Sequence, residues 1–341
     1  MVARRGVFWF VALAPVVDSA APSSHSSQAP RVVFKFGGTT VGTPERFETV
    51  VSILQEAASS ERVVAIVSAL SQVSRQLSGA MENFATRSDG TAVVDDLIDT
   101  LRARHMDQAE TVLSVARQDD YAALLEERLQ ALRRCFAEVD RSGFTPAARD
   151  AVLATGEQLS VPMVTLALRD AGLSAPHCQA TRLVVTDGTF GEANVQRSAT
   201  AEHVRDWYQD LAQDAVPVVA GFIGSTEEGA TTTLGFEGSD YSASFFARIL
   251  EAGCVTRYTD VDGLYSEDPS VHDDAERLEC LSMEEAFAMT ESGDLGMHPK
   301  TLRPLASADI PMQVRSILEP ERSGTRILPD GVSAQALWPV P

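Results

Sequence analysis

The stretch "VVFKFGGTTVGTPERF", residues 32 to 47, joins an apolar run, a glycine turn and a helix start. Gly37 and Gly42 have the spacing of a phosphate-binding P-loop, but Thr43 occupies the position at which that loop carries its lysine. The lysine of this stretch, Lys35, instead precedes the glycines and lies inside the apolar run. It would therefore project from the end of a strand rather than from the first turn of a helix.

The segments on either side of this turn predict a βαβ unit. "RVVFKF" (31–36) reads as a strand, Thr43 and Pro44 as the cap and first residue of a helix, and "RVVAIVSAL" (62–70) as a continuous apolar strand. Strand, helix and buried strand in this order indicate a parallel sheet that is covered on both faces. The fold class is therefore α/β.

Composition and charge narrow the class of protein. A chain of 341 residues with 44% hydrophobic content can form one large core or two ordinary ones, which suits an α/β enzyme. Its net charge of −20 argues against nucleic acid as a partner, since the two would repel each other. The four cysteines are far apart, and no cysteine or histidine spacing typical of a zinc site or a disulfide framework occurs.

Three segments are distinguished along the chain. Residues 1–30 form an N-terminal extension whose two arginines, apolar run and small residues give it the plan of a secretory signal too short to span a membrane. We leave three interpretations of this extension open: a targeting peptide, a dispensable extension, or a translation start upstream of the true one. Residues 31–330 form the folded unit, in which 75–150 has helical spacing and predicts a helical insertion, and 331–341 form a C-terminal tail. We expect a cytoplasmic protein without a membrane partner.

The segment from 145 to 172 contains an isolated acidic residue. "TPAARDAVLATGEQLSVPMVTLALRDAG" predicts a helix that is interrupted around Gly156, and it surrounds Glu157 with apolar or small neighbours. Taken from these residues alone, Glu157 fits a solvated helix face better than a ligand-binding position.

A second glycine-rich segment follows further along the chain. "VPVVAGFIG" (216–224) predicts a strand, and glycines around a run of three threonines then lead into a helix. Glycine turns at a helix start form an anion cradle, although an ordinary hairpin and turn is the alternative. If this segment and Gly37-Gly38 lie at the ends of adjacent strands, one site could hold a phosphate donor and an acceptor. Asp240 would repel such a ligand unless it holds Lys35 or a magnesium ion in place.

Several blocks in a fixed order carry a family resemblance. They are "KFGGTTVG", "GFIGS", "TTTLGFEGSDYSA", "TDVDGLYSEDP", "HPKTLRPL", "IPMQVRS" and "GTRI". Together they resemble the catalytic domain of aspartokinases, within the amino acid kinase fold, over about 31–330. The resemblance implies a three-layer α/β fold with a mostly parallel central sheet and a helical insertion. It also implies ATP and Mg²⁺ as cofactors and L-aspartate as substrate, phosphorylated on its β-carboxylate to 4-phospho-L-aspartate, the first step toward lysine, threonine and methionine. It allows a homodimer.

The same resemblance implies roles for individual residues. Catalysis is assigned to Lys35, with Asp240 organising the basic groups around the phosphates. The residues that match ATP- and phosphate-binding positions of the family, besides Lys35, are Gly37, Gly38, Thr39, Thr259, Asp260 and Tyr265.

The substrate side is assigned in the same way. Glu157, in "TGE", matches the glutamate that binds the amino group of aspartate, which replaces the solvated-face reading. Ser68 and Ser74 match small hydroxyl positions near the acceptor. Arg182 matches an arginine that commonly follows the same strand, and it is assigned to substrate binding with them. No protein side chain is assigned to a metal ion.

The chain departs from the family pattern at three positions. Phe236 stands where the motif has an arginine that pairs with the substrate α-carboxylate, Ser270 replaces an arginine near the nucleotide, and Leu295 replaces a lysine. These departures keep two alternatives open, a kinase of the same fold for another carboxylate or carbamate acceptor and a non-catalytic homolog. About 14 residues follow "SGTRI", so we also expect a short form without the regulatory ACT domains.

Overall fold

A computed structural model of the chain describes residues 29–86, 89–267, 271–272, 274–292 and 297–333. Nearly all of the predicted N-terminal extension and most of the predicted tail lie outside these residues, as do the departures at Ser270 and Leu295. The described residues form an α/β structure around an eight-stranded sheet with helices on both faces. This architecture confirms the predicted fold class.

The central sheet is mostly parallel. Its strands, in spatial order, are β10 (Cys280–Ser282), β12 (Thr325–Leu328), β11 (Met312–Ser316), β7 (Cys254–Thr259), β1 (Arg31–Phe36), β2 (Arg62–Val67), β4 (Val218–Ala220) and β3 (His177–Cys178). Only the β11–β12 pair is antiparallel among the described pairs of this sheet. Two small antiparallel pairs lie apart from it, β5 (Ile223–Ser225) with β6 (Thr231–Thr233) and β8 (Leu264–Tyr265) with β9 (Arg277–Leu278).

The helices connect these strands and cover the sheet. They are α1 (Pro44–Ala58), α2 (Val73–Thr86), α3 (Gly90–Val112), α4 (Val115–Ser142), α5 (Pro146–Asp170), α6 (Ala180–Leu183), α7 (Arg197–Gln209), α8 (Gly238–Leu250), α9 (Met283–Ser292) and α10 (Pro299–Ala306). Three of them, α2, α3 and α4, occupy the region that the sequence predicts as a helical insertion.

The first βαβ unit forms as its sequence predicts. Thr43 caps α1, its side-chain oxygen accepting a hydrogen bond from the Arg46 N–H, and Pro44 occupies the first turn, where its missing N–H costs nothing. β2 ends at Val67, three residues before the predicted end. Its partner β1 ends at Phe36, whose carbonyl accepts the Ser68 N–H, so later residues have no strand to pair with.

Helix α5 runs through the centre of the protein. The predicted interruption at Gly156 is wrong, because the helix is continuous and buried over most of its length. It is the one described helix that is long and apolar enough to cross a membrane, but 83% of its most apolar 18-residue stretch is buried inside the protein. Gly156 serves close packing instead: a Cβ there would lie 2.7 Å from the Cβ of Ala69.

The second glycine-rich segment differs from its prediction. The predicted strand over 216–224 is two strands, because Phe222 adopts a left-handed φ of 69° and turns the chain out of the central sheet. β5 then forms a hairpin with β6, and α8 begins shortly after it, so anion binding by this segment stays a prediction. The two glycine segments do not follow adjacent strands either, because β2 lies between β1 and β4.

The two helical glycines Gly156 and Gly79 give a matched test of this packing. Gly156→Ala should lower the free energy of unfolding by about 1–3 kcal/mol, because the added methyl group overlaps Ala69. Gly79→Ala, in α2, should raise it by about 0.5–1 kcal/mol, since nothing lies within 4 Å of its Cβ position and alanine favours helix. Urea unfolding measures both changes. Equal stability of the two variants would contradict the close contact at Gly156.

Candidate functional site

A cleft of about 780 Å³ opens at the carboxyl ends of the central strands. The turns after β1 and β2, the end of β7, one face of α5 and the first turn of α8 line it. In open α/β sheets, ligands bind at this edge, because strand ends and helix starts there present loop backbone and side chains. The cleft is therefore the candidate active site.

A buried ionic cluster forms the floor of the cleft. Lys35 on β1 and Arg257 on β7 are register partners on adjacent parallel strands, so their side chains lie on the same face. Asp240, in the first turn of α8, contacts both: its Oδ2 lies 2.8 Å from Lys35 Nζ and its Oδ1 lies 3.1 Å from Arg257 Nε. Two like charges at opposing strand positions repel each other, so the carboxylate between them is what makes the pair tolerable.

Burial and charge act in opposite directions on this cluster. Burial alone would raise the pKa of Asp240, but the charges of Lys35 and Arg257 outweigh it and lower the pKa, so the carboxylate stays ionised. Burial lowers the pKa of Lys35, and the Asp240 carboxylate opposes that change. The side chains of Lys35 and Asp240 are 8% and 5% exposed. The cluster thus places a cation, held by a fixed carboxylate, at the floor of the cleft.

Glu157, on α5, is a buried carboxylate with one free oxygen. Its Oε1 accepts the Ala69 N–H at 3.2 Å, whereas its Oε2 has no hydrogen-bond partner. Burial is the main cause that raises the pKa of Glu157 from 4.5 to about 8. In the absence of a cationic partner the group is therefore largely protonated at neutral pH, and a cation bound in the cleft would favour its charged form.

The turn after β1 is held close to the turn after β2. A Cβ on Gly38 would lie 2.7 Å from the Ala69 carbonyl oxygen, so only glycine fits there, and the Ser71 N–H donates to the Gly38 carbonyl. Thr40 closes the turn through its N–H and hydroxyl, both of which donate to the Gly37 carbonyl. The exposed Thr39 lies between these anchored residues, at the rim of the cleft.

The β5–β6 hairpin is fixed to α5 by Asp150. The carboxylate of this buried residue accepts hydrogen bonds from the N–H and hydroxyl of Thr233 and from the Gly191 N–H. Phe236 follows the hairpin at the cleft wall, with 75% of its surface exposed. Arg149 precedes Asp150 on α5; it is exposed and lines the same cleft.

The amino acid kinase family model matches residues 30–316 of the chain. The chain belongs to the amino acid kinase family. This match covers the central sheet from β1 to β11 and every element that lines the cleft.

Within the amino acid kinase family, the chain is similar to aspartokinases. It is 30% identical over 298 residues to the bifunctional aspartokinase/homoserine dehydrogenase 1 of Zea mays, covering 86% of this chain and 32% of that protein. It is 29% identical over 300 residues to the lysine-sensitive aspartokinase 3 of Escherichia coli, covering 87% and 64% respectively. The structure of E. coli aspartokinase III in complex with aspartate and ADP superimposes with a TM-score of 0.79 at 28% identity, covering 89% of this chain and 65% of that chain.

The cleft brings together most of the predicted site residues. Those that line it are Lys35, Gly37, Gly38, Thr39, Ser68, Ser74, Glu157, Asp240 and Thr259. The remaining three, Asp260, Tyr265 and Arg182, are not among its lining residues.

These three residues have other surroundings. Asp260 lies at the end of β7 and approaches Arg46 at 3.9 Å, and the Tyr265 hydroxyl donates to Asp262 at 2.6 Å. Arg182 is exposed on α6, which packs on β5, and it does not line the cleft, so its role in substrate binding stays a prediction. The short α6 follows β3, the edge strand of the sheet, two strands away from β2.

Sequence reasoning missed four charged residues that line the cleft, Arg257, Arg149, Asp150 and Glu237. A signal existed for Arg257, because an arginine near the end of the apolar run "CVTRYT" resembles the position of Lys35 in "RVVFKF". Both are charges inside strands that are otherwise buried. Arg149 and Asp150 have no comparable signal, because an acidic residue suits the amino-terminal part of a helix and an arginine beside it resembles an ordinary surface residue.

The buried carboxyl of Glu157 predicts a pH dependence of stability in the ligand-free protein. Between the unfolded value near 4.5 and the folded value of about 8, the folded state binds more protons than the unfolded state. The free energy of unfolding should therefore fall as pH rises from about 5 to 8, with a slope of at most about 1.4 kcal/mol per pH unit from this group. Glu157→Gln should remove this component.

Urea unfolding at several pH values provides the measurement, and Glu48→Gln, at an exposed position on α1, provides the matched control. The control should keep the slope of the unmodified protein. Parallel curves for Glu157→Gln and the unmodified protein would show that Glu157 titrates normally.

Proposed function

We propose that this chain transfers the γ-phosphoryl group of ATP to the β-carboxylate of L-aspartate, giving 4-phospho-L-aspartate. It spans 32% and 64% of the maize and E. coli relatives described above, so the proposal concerns the activity that the cleft itself can support. The E. coli aspartokinase III structure with aspartate and ADP, similar over 89% of this chain, supports the choice of substrate and nucleotide.

The observation that carries the proposal is a set of buried polar atoms without hydrogen-bond partners around one cleft. They are Glu157 Oε2, Asp240 Oδ1 and Arg257 Nε, the last two close enough to attract each other but not aligned for a hydrogen bond. Buried polar atoms are nearly always paired, so atoms left open at a cleft wall are suited to a ligand. A free carboxylate oxygen suits an ammonium group, and a free guanidinium N–H suits a phosphate or carboxylate.

Such a reaction places few chemical demands on the protein. The β-carboxylate of aspartate has a pKa near 4 and is already ionised at neutral pH, so no general base is required. The barrier lies in bringing this anion to the phosphates of ATP, and positioning and positive charge lower it. Lys35 supplies a rigidly held cation, and the backbone N–H groups of the Gly37-Gly38 turn lie beside it.

This requirement explains why the lysine precedes the glycines. At the fifth position of the six-residue β1, Lys35 is fixed by a rigid strand and by Asp240, and the turn directly follows it. In a P-loop the lysine belongs to a helix start instead, because the phosphates there lie against that helix. Both arrangements combine one lysine with loop N–H groups, in opposite chain order.

The cleft also suits a magnesium-bound nucleotide. Its volume is sufficient for ATP and a small amino acid, and Thr259 at the end of β7 borders it. Among the described residues, no group of three or more His, Cys, Asp and Glu side chains could hold a metal ion. When bound, Mg²⁺ would be held chiefly by the ATP phosphates and would neutralise part of their charge.

The acceptor itself is tested by a coupled assay for ADP release with aspartate, glutamate and N-acetylglutamate. Aspartate should be a better acceptor than N-acetylglutamate, because its free amino group provides the cation that Glu157 requires. Glutamate carries the same amino group, and aspartate should exceed it as well if the cleft binds the ligand of the aspartokinase III structure. N-acetylglutamate lacks that cation and should be poor. A preference for N-acetylglutamate would reassign the chain within its family, and no ADP release with any acceptor would indicate a non-catalytic homolog.

Lys35→Met tests the catalytic charge. Turnover should fall by at least about 100-fold, because removing one electrostatic stabiliser of the transition state commonly costs about 3 kcal/mol or more. Arg134→Met, which removes an exposed cation from α4 outside the cleft, should leave turnover unchanged. A thermal unfolding scan checks that both variants fold. Normal turnover in Lys35→Met would exclude Lys35 from the mechanism.

The substrate α-carboxylate also requires a cation, and Phe236 cannot provide one. Three cations of the described residues line the cleft: Lys35 and Arg257, which contact Asp240, and Arg149, whose side chain has no ion pair. Arg149 and Glu157 lie eight residues apart on one face of α5, about 12 Å along the helix. The length of an arginine side chain allows its guanidinium to approach a ligand whose amino group is at Glu157. We therefore propose that Arg149 binds the α-carboxylate.

Arg149→Ala should raise the KM for aspartate by about 10- to 100-fold, the range expected for losing hydrogen bonds to a charged group. The KM for ATP should change little. Arg182→Ala, at an exposed position outside the cleft, is the matched control and should leave both constants unchanged. Adding Phe236→Arg to Arg149→Ala should recover part of the loss, because it places a guanidinium on the opposite wall.

These outcomes separate the two proposals. If Arg149→Ala leaves the KM for aspartate unchanged while aspartate is phosphorylated, the role of Arg149 is wrong and the activity stands. If the unmodified chain shows no activity toward aspartate, the activity itself is wrong, whatever Arg149 does.

A further inference from the structure

A second concave site lies on the opposite side of α8 from the cleft. It is a cavity of about 640 Å³ between α7, α8, α10 and the loop before α7. None of its lining residues lines the candidate active site. Besides His298 and Tyr241, its ionisable side chains are Arg197, Arg205, Arg248, Lys300, Arg303 and Glu192. We call this cavity, defined by these five cations and one carboxylate, the basic cavity.

The charge of the basic cavity opposes that of the chain. The whole protein carries a net charge of −20, yet five cations and a single acid surround this one concavity. Lys300 donates a hydrogen bond from its Nζ to the Leu234 carbonyl at 2.6 Å, which fixes it in the wall. None of the four arginines has an ion pair or a side-chain hydrogen bond within the described part of the chain.

Several other arginines pair with an acidic side chain, whereas the exposed Arg134, Arg149 and Arg182 have no ion pair within the described residues. Arg117 contacts Asp120 at 3.0 Å and Arg141 contacts Glu138 at 2.7 Å, each on its own helix. With 48 acidic residues in the sequence, partners for the cavity arginines were readily available. Their absence leaves several like charges around one concave surface, an arrangement that costs free energy unless an anion occupies it.

The positions of the arginines in their helices explain only part of this arrangement. Arg248 and Arg303 lie in the last turns of α8 and α10, where a cation interacts favourably with the helix dipole. Arg197, however, is the first residue of α7, where a cation is unfavourable, and Arg205 lies on the same face two turns later. Neither residue stabilises its own helix by its charge.

The wall that α8 contributes is largely apolar. Tyr241, Phe245 and Ile249 line the basic cavity, and the first two rings pack edge to face with centroids 5.3 Å apart. The cavity therefore combines an aromatic wall with converging guanidinium groups, which match phosphate and carboxylate oxygens in pairs. We infer that the basic cavity binds a small polyanion of the phosphate class, with at least two negative charges.

The ligand would bind next to the catalytic cleft without entering it. Asp240, in the first turn of α8, lines the cleft, whereas Tyr241 and residues of the later turns of the same helix line the basic cavity. At the other end of the cavity, the His298 N–H donates to the carboxylate of Glu237, which lines the cleft. The two sites thus share a helix but no lining residue, so a binding experiment can distinguish them.

The test is calorimetric titration of the full chain with inorganic pyrophosphate at physiological ionic strength, without Mg²⁺ or ATP. The double variant Arg205→Glu/Arg303→Glu should raise the dissociation constant at least tenfold, because both cations are reversed. Lys35→Met should keep the affinity, since its change lies in the cleft. Arg134→Glu, an exposed arginine on α4 outside both sites, is the matched charge control and should also keep it.

Three results would overturn the inference. The first is that Lys35→Met loses pyrophosphate binding while the double variant keeps it. The second is that Arg134→Glu weakens binding as much as the double variant does. The third is that the unmodified chain does not bind pyrophosphate. A parallel titration with citrate distinguishes the class of anion, and tighter binding of citrate than of pyrophosphate would contradict the phosphate assignment. Since no step of this experiment measures phosphoryl transfer, its outcome is independent of the proposed catalytic activity.

Discussion

The contact of Asp240 with both Lys35 and Arg257 constrains the rest of the site. Parallel pairing of β1 with β7 places the two cations beside each other in a buried sheet, and only an anion between them makes that placement stable. The anion comes from α8, so the helix must begin where its first turn meets the strand ends. This fixes the position of the turn before α8, and with it the wall of the cleft that contains Phe236.

Helices α5 and α8 carry different parts of the candidate active site. α5 carries Arg149, Asp150 and Glu157 on one side of the cleft, so a single rigid element holds the proposed substrate contacts and anchors the hairpin opposite them. α8 carries Asp240 into the cleft and separates the cleft from the basic cavity. Because each helix is packed into the core, the groups it presents are held without much loss of entropy on binding.

Local sequence signals predicted the elements better than their arrangement. The first βαβ unit was predictable from the apolar runs and from the cap at Thr43, whose signals depend only on neighbouring residues. The strand over 216–224 and the break at Gly156 were predicted wrongly. A left-handed Phe222 and a close contact between α5 and Ala69 decide these two features, and both depend on residues distant in sequence.

The sequence by itself determined the fold class, the order of the elements and, through its motif blocks, the family and nine residues that line the cleft. Short segments of sequence determine these properties, because the periodicity of strands and helices and the residues of a motif can be recognised without knowing which distant residues they contact. Only the tertiary structure decided that Arg257 shares Asp240 with Lys35, that Arg149 and not Arg182 lines the cleft, and that scattered arginines converge in one cavity. Each depends on strand register and helix packing, which bring together charges that are far apart in the chain and individually resemble surface residues.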